Sequence, residues 1–351
     1  MNSSARMAAA INGQPVDRIP NAPFYEAPIC RYFSNSFREA LLGGPEMVAS
    51  HLRAIEAYEF DWVMVGMGFI GGIIPEIMGC TITYPENEFP KIEQTVVRSS
   101  GDIKTLTQLN IGSHKLDQFL SSIRMLKSEL SPGVPIACEF ISPFTIATRL
   151  RGTNEIMADF YQSPELIQEL QEILVPIDIQ WGEALMDAGV EYIFYGADME
   201  CPLLISPEHY REFVHGPTEK VVTALAKKGA KVLPHMCGPI VATGIVDMLL
   251  EMPIAGIMPG NLTQDSVLPL KTLKHKVNNR LAIFDNLNPN GVLLTGSAAD
   301  VAKETRQHLE NAAEWRGYLF STAGTSSPDT PRENYDAMNY EVINFAASRW
   351  S

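Results

Sequence analysis

Eight short apolar segments, alternating with helical patterns, constrain this chain more than any other feature. They fall at 21–24, 62–65, 134–138, 192–195, 230–233, 254–258, 281–284 and 318–320. Strands apolar on both faces are buried on both faces, and strand–helix alternation implies parallel pairing. Eight such units close into a (β/α)8 TIM barrel of the α/β class, with residues 1–351 as a single domain. A doubly wound open sheet is the alternative if one or two segments are not strands.

The helices between these segments carry their own signals. Pro45 suits a first helical turn, and Val48, Leu52 and Ile55 share one stripe of the helix that follows. Ser113 is the expected N-cap of a helix over 114–130. A long helix opens at Ser163-Pro164-Glu165, where Pro176 is expected to kink or split it. Gly216-Pro217 is expected to break the next one. Thr330-Pro331-Arg332-Glu333 has the form of a capping box with proline at the first helical position. No linker is long enough to divide two domains.

Charge and cysteine usage narrow the function. A net charge of −14 over 351 residues, with no cluster of Lys and Arg, speaks against nucleic-acid binding. Five widely spaced cysteines, an odd number, do not read as a disulfide framework. No apolar run approaches the ~18 residues of a membrane span. Met1 to Asn12 has no signal-peptide core. A cytoplasmic location is the expectation.

In a barrel of this kind the active site lies at the C-terminal ends of the strands. Tyr25, Glu26, Glu139, Asp198, Glu200, His235, Cys237, Asn261, Asp285, Asn286, Ser321 and Thr322 all stand at such ends. Each alone is compatible with a turn or a helix cap; together they predict an acidic, polar mouth. His235 and Cys237 are two apart, so on an extended backbone their side chains share one side. Imidazole plus thiolate is a zinc-type pair, although two ligands do not fill a tetrahedral site, and a buried cysteine beside a hydrogen-bonded histidine is the alternative. Gly66-Met67-Gly68-Phe69-Ile70-Gly71 matches GxGxxG formally. Pro75 and Gly79 are expected to interrupt the helix a dinucleotide site needs, so the glycines read as a backbone turn.

Several pieces in order resemble the uroporphyrinogen decarboxylase superfamily, in particular its cobalamin-dependent methyltransferase branch. They are Asp17-Arg18-Ile19-Pro20, Ser142-Pro143-Phe144-Thr145, His235-Met236-Cys237-Gly238, Asp285-Asn286-Leu287-Asn288-Pro289 and the run from Pro328 to Asn334. The resemblance implies a barrel that moves a methyl group between methylcobalamin, carried as co-substrate on a corrinoid protein, and a small acceptor or donor. It implies zinc on His235, Cys237 and a second cysteine. That second cysteine is missing: Gly324, within Ser321-Thr322-Ala323-Gly324-Thr325, stands in its place. Either another group completes the site, with Glu26, Glu139, Asp198 and Asp285 as the strand-end carboxylates available to substitute, or the metal is weak or absent. By the same reading Glu26, Glu139, Asp198, Asp285 and Asn286 are candidate catalytic groups, and Tyr25, Asn261 and Ser321 candidate cofactor contacts. A metal-free decarboxylase-like lyase and a non-catalytic corrinoid- or tetrapyrrole-binding protein are the alternatives. The decarboxylase branch carries an arginine-rich N-terminal signature, where this chain has Asn21 to Glu26.

Overall fold

The computed structural model describes residues 1–106, 114–263 and 266–345. Seven parallel strands form one sheet in chain order: β1 (Val63–Val65), β2 (Ile136–Ile141), β3 (Val190–Gly196), β4 (Lys231–Met236), β5 (Gly256–Pro259), β6 (Ala282–Phe284) and β7 (Tyr318–Leu319). The first predicted strand closes the ring. Asn21 bridges Phe320 in parallel. Ala22 N–H donates to the Phe320 carbonyl at 2.9 Å, and on the other side Asp61 N–H donates to the Asn21 carbonyl at 2.8 Å. All eight segments therefore take their places in a closed barrel, and the open sheet is excluded.

Strand side chains alternate between two cores, as a pleat of period two requires. Met64, Ala137, Tyr192, Phe194, Leu233, Met258 and Phe284 fill the barrel interior. Val63, Val65, Ile136, Cys138, Ile193, Tyr195, Val232 and Ile283 face the helices outside. The parity of each strand decides which later residue looks into the mouth.

Two local expectations are overturned and a third is narrowed. Pro164–Ala188 is one helix of 25 residues, so Pro176 does not split it. Gly216-Pro217 does not break the chain either: a π-helical turn, Tyr210–His215, runs straight into the helix Gly216–Lys228. Pro217 follows directly on the wider π turn, and the backbone stays helical through His215 and Gly216. At the last helix, Arg332–Asn344, the cap is Pro331 without a side-chain bond, so the capping box does not form. Instead the Thr330 hydroxyl donates to the Ser327 carbonyl at 2.8 Å. Ser113 lies outside the described residues.

The N-terminal helix Ser3–Ile11 is tied to the barrel by one carboxylate. Asp61, fully buried before β1, accepts from Arg6 Nη1 at 2.5 Å, Arg18 Nη1 at 2.6 Å and Asn21 N–H at 2.8 Å. This places Arg18 at the N-terminal end of the barrel, where polar residues serve stability rather than chemistry. Asp61→Ala, which removes the buried partner shared by Arg6 and Arg18 and leaves Arg6 to Asp17, is expected to lower unfolding stability by about 1.5–3 kcal/mol. Urea denaturation followed by far-UV circular dichroism reads this; a loss well under 1 kcal/mol rules it out.

Candidate metal centre

Register brings the site together. His235 on β4 pairs with Gly196 on β3 and with Met258 on β5. Across that second pairing His235 Nδ1 lies 3.0 Å from the Met258 carbonyl oxygen. A carbonyl only accepts, so the ring proton sits on Nδ1 and Nε2 keeps its lone pair. Burial holds the imidazole pKa below its ordinary value, against the pull of Asp198 and of the carbonyl, so the ring is neutral at pH 7. Two rings fix its plane: Phe194 at 5.0 Å and Phe24 at 5.7 Å between centroids.

Nε2 faces two further donors. Cys237 Sγ is 3.8 Å away, and Asp198 Oδ1 is also 3.8 Å away. All three ligand atoms lie within 4.8 Å of one another. Tetrahedral zinc with bonds of ~2.0–2.3 Å sets its ligands about 3.3–3.8 Å apart, so this trio needs little movement to share one ion. Burial, then Asp198 and Cys201, pushes the Cys237 thiol up to about 12. A divalent cation reverses that, because coordination deprotonates a thiol outright.

Two glycines shape the pocket. A Cβ at Gly260 would sit 2.4 Å from Cys237 Sγ and 3.0 Å from His235 Cε1, so only glycine lets that backbone pass. A Cβ at Gly324 would lie 3.5 Å from His235 Nε2. A side chain at position 324 would therefore point at the same lone pair that faces Cys237 and Asp198. The resulting cavity, about 190 Å³, includes Glu139, Phe194, Asn261 and Asn290 in its wall together with these ligands. Glu139 is buried, and burial followed by the Asp198 and Glu26 carboxylates lifts its pKa well above the carboxylate range, while Arg149 works against the rise.

The other predicted residues lie elsewhere. Glu26 accepts from Gly66 N–H at 2.9 Å and Met67 N–H at 2.5 Å, at the start of the helix Met67–Ile77. Burial raises its pKa to about 8, and the two backbone bonds oppose the rise. A helix does begin at the GxGxxG run, contrary to expectation, and continues through Pro75. Its positive N-terminus is filled by the chain's own carboxyl rather than by a phosphate. Tyr25 is fully buried; its hydroxyl donates to the Trp62 carbonyl and accepts from Met64 N–H, both at 3.1 Å. It fastens β1 and does not reach the mouth. Asp285 shares the parity of Ile283 and so points outward, where both its oxygens meet His308 Nδ1, at 2.9 and 3.1 Å. Asn286 donates to the Leu268 carbonyl at 2.7 Å, and Ser321 is buried outside the cavity wall. Glu200 is fully buried and forms no part of the wall. Of the predicted set, Glu139, Asp198, His235, Cys237 and Asn261 converge. Phe194 and Gly260 were missed; the shared parity of Tyr192, Phe194 and Gly196 was the available signal for the first.

Gly260→Ala is expected to displace the Cys237 thiol and weaken divalent-metal affinity about tenfold or more. Competition with a chromogenic chelator measures it; unchanged affinity refutes the close approach. A second expectation concerns His308. Burial disfavours its charged form, but Asp285 outweighs this and the pKa ends raised. The pair's contribution is therefore full below the unfolded value of about 6.5 and is lost as pH rises through the higher folded value. Denaturation curves across pH 5–9 should lose that component in Asp285→Asn, and an identical pH slope in the variant contradicts it.

Comparison with known proteins agrees with this architecture. A solved methyltransferase from Methanosarcina mazei superposes with a TM-score of 0.83 over 98% of this chain and 99% of that one, at 20% identity, so the two share a fold. A methylcobamide:CoM methyltransferase from Methanosarcina barkeri is 22% identical over 338 residues, 95% of each chain. A uroporphyrinogen decarboxylase from Acinetobacter baumannii is 27% identical over 286 residues, 76% of this chain and 74% of its own. The family model for uroporphyrinogen decarboxylase (URO-D) matches residues 2–344, and the chain belongs to that family.

Proposed function

We propose that this protein is a corrinoid-dependent methyltransferase whose small substrate is bound beside a divalent zinc ion. The observation that carries the reading is the convergence of Asp198, His235 and Cys237 within 4.8 Å at the barrel mouth, with the imidazole lone pair turned inward. His235 and Cys237 come from one strand end, and Asp198 completes the set where a second cysteine is absent. When bound, the ion supplies Lewis acidity to a heteroatom of the substrate. Phe24 and Phe194 hold the imidazole and keep water from its face. The side chain of Asp198, half exposed at the rim, leaves the approach to the corrinoid open.

The transfer balances in either direction. Toward the corrinoid, the cobalt(I) electron pair forms the new bond to carbon, and the substrate heteroatom keeps the pair of the bond that breaks. In reverse, the heteroatom's lone pair attacks carbon and cobalt regains its pair. A corrinoid carried on a partner protein would bring only its methyl group to the mouth and need not enter the cavity. A porphyrinogen would have to enter, and the described lining of the cavity contains no Lys or Arg for its carboxylates. That disfavours the decarboxylase alternative.

Metal analysis of protein purified without added metal is expected to find close to one zinc per chain. His235→Ala and Asp198→Ala should each lose it, and cobalt(II) substitution should give a thiolate charge-transfer band that Cys237→Ser abolishes. Trace zinc, or zinc unaffected by these changes, sinks the reading. So does failure to demethylate or methylate free cobalamin across a panel of thiols, amines and methoxy compounds.

A further inference from the structure

The wall of this cavity is unusual in its charges. Its charged lining residues are Glu139 and Asp198, both acidic, and among the described residues of the wall there is no lysine or arginine. Glu139 has no counter-charge in this wall, and burial holds it as the neutral acid; a cation seated beside it would let it ionise. Its Oε2 is buried and has no hydrogen-bond partner, and Asn261 Oδ1, also in the lining, is in the same condition. An amide can be turned to offer either atom; Glu139, once ionised beside a cation, can only accept, so it defines the demand. Arg149 acts on Glu139 through space but makes no ion pair with it and is not part of the wall. Phe194 adds an aromatic face, which attracts cations.

We infer that the small substrate is a cationic amine, a small ammonium, seated between Glu139, Asn261 and the ring of Phe194. A buried acceptor left unpaired is costly, and a cation with N–H donors relieves that cost. An anionic thiol would offer Glu139 no counter-charge. With a methylated ammonium as donor, the electron pair of the broken carbon–nitrogen bond stays on nitrogen, cobalt(I) supplies the pair of the new bond, and the amine leaves neutral. The inference rests on the preceding reading only in taking this cavity as the substrate site.

Equilibrium binding, by titration calorimetry on the protein as purified, tests it without any turnover. The probes are methylammonium, trimethylammonium and tetramethylammonium, with neutral tert-butanol and anionic 2-mercaptoethanesulfonate as contrasts. At least one ammonium should bind about tenfold or more tightly than the alcohol, and Glu139→Gln should remove most of that margin. Tighter binding of the anion, or no ammonium preference in the wild-type protein, overturns the inference; the wild-type comparison stands whether or not the variant folds. Unchanged ammonium affinity in a folded Glu139→Gln protein overturns it as well. The two readings fail separately. Ammonium binding that depends on Glu139 but never leads to corrinoid methylation leaves this inference standing and removes the methyltransferase. Methylation of an anionic thiol, with ammonium ions unable to compete, does the reverse.

Discussion

The hydrogen bond between His235 Nδ1 and the Met258 carbonyl is the contact on which the site depends. It lies across the β4–β5 pairing, so the parallel register itself delivers the acceptor to the imidazole. That single bond chooses the tautomer and aims the other nitrogen at Cys237 and Asp198. A metal-ligating histidine is ordinarily oriented by such a partner, and here the partner is main chain, which cannot rotate away. Phe24 and Phe194 then limit the tilt of the ring. The result is a site whose central ligand is set by the barrel rather than by a loop.

The barrel was legible because its strands are short, apolar and separated by helical patterns. The site was half legible, and the pleat explains which half. Counting in twos along β3 and β4 keeps Tyr192, Phe194 and Gly196 together, and likewise Leu233, His235 and Cys237. The same count sends Asp285 outward with Ile283, toward His308. Proximity to a strand end was a weaker guide than parity, and treating every strand-end carboxyl as equal brought in Asp285. Glu26 failed for another reason. Its partners are backbone N–H groups 40 and 41 residues away, and nothing local in the sequence announces them.

Glu26 also explains why the glycine-rich run after β1 misleads. Gly66 has a φ of +100, a left-handed conformation that turns the strand into the helix Met67–Ile77. The first amide groups of that helix form an anion site in the usual sense. In dinucleotide-binding folds that site is left for a phosphate. Here a buried carboxyl from the first β/α unit fills it, so the motif holds together two parts of the chain.

On the proposed reading, a carboxylate in place of a second cysteine would alter the character of a bound ion more than its charge. One thiolate and one carboxylate neutralise a divalent cation as fully as two thiolates do. The carboxylate is the harder donor, though, and leaves the ion more Lewis-acidic toward a substrate heteroatom. Position matters as well. Gly324 adopts a φ of +145, which residues with a Cβ rarely accept, so the local backbone no longer suits a side-chain ligand there. Asp198 approaches instead from the loop after β3, with half its side chain exposed. On that reading two groups fixed by β4 and a third on a solvent-facing loop would give the ion one fixed side and one adaptable side. An ammonium has no lone pair for such an ion, but the neutral amine left after its methyl group departs has one, so the ion and the acidic wall would act on the same molecule at successive stages of the transfer.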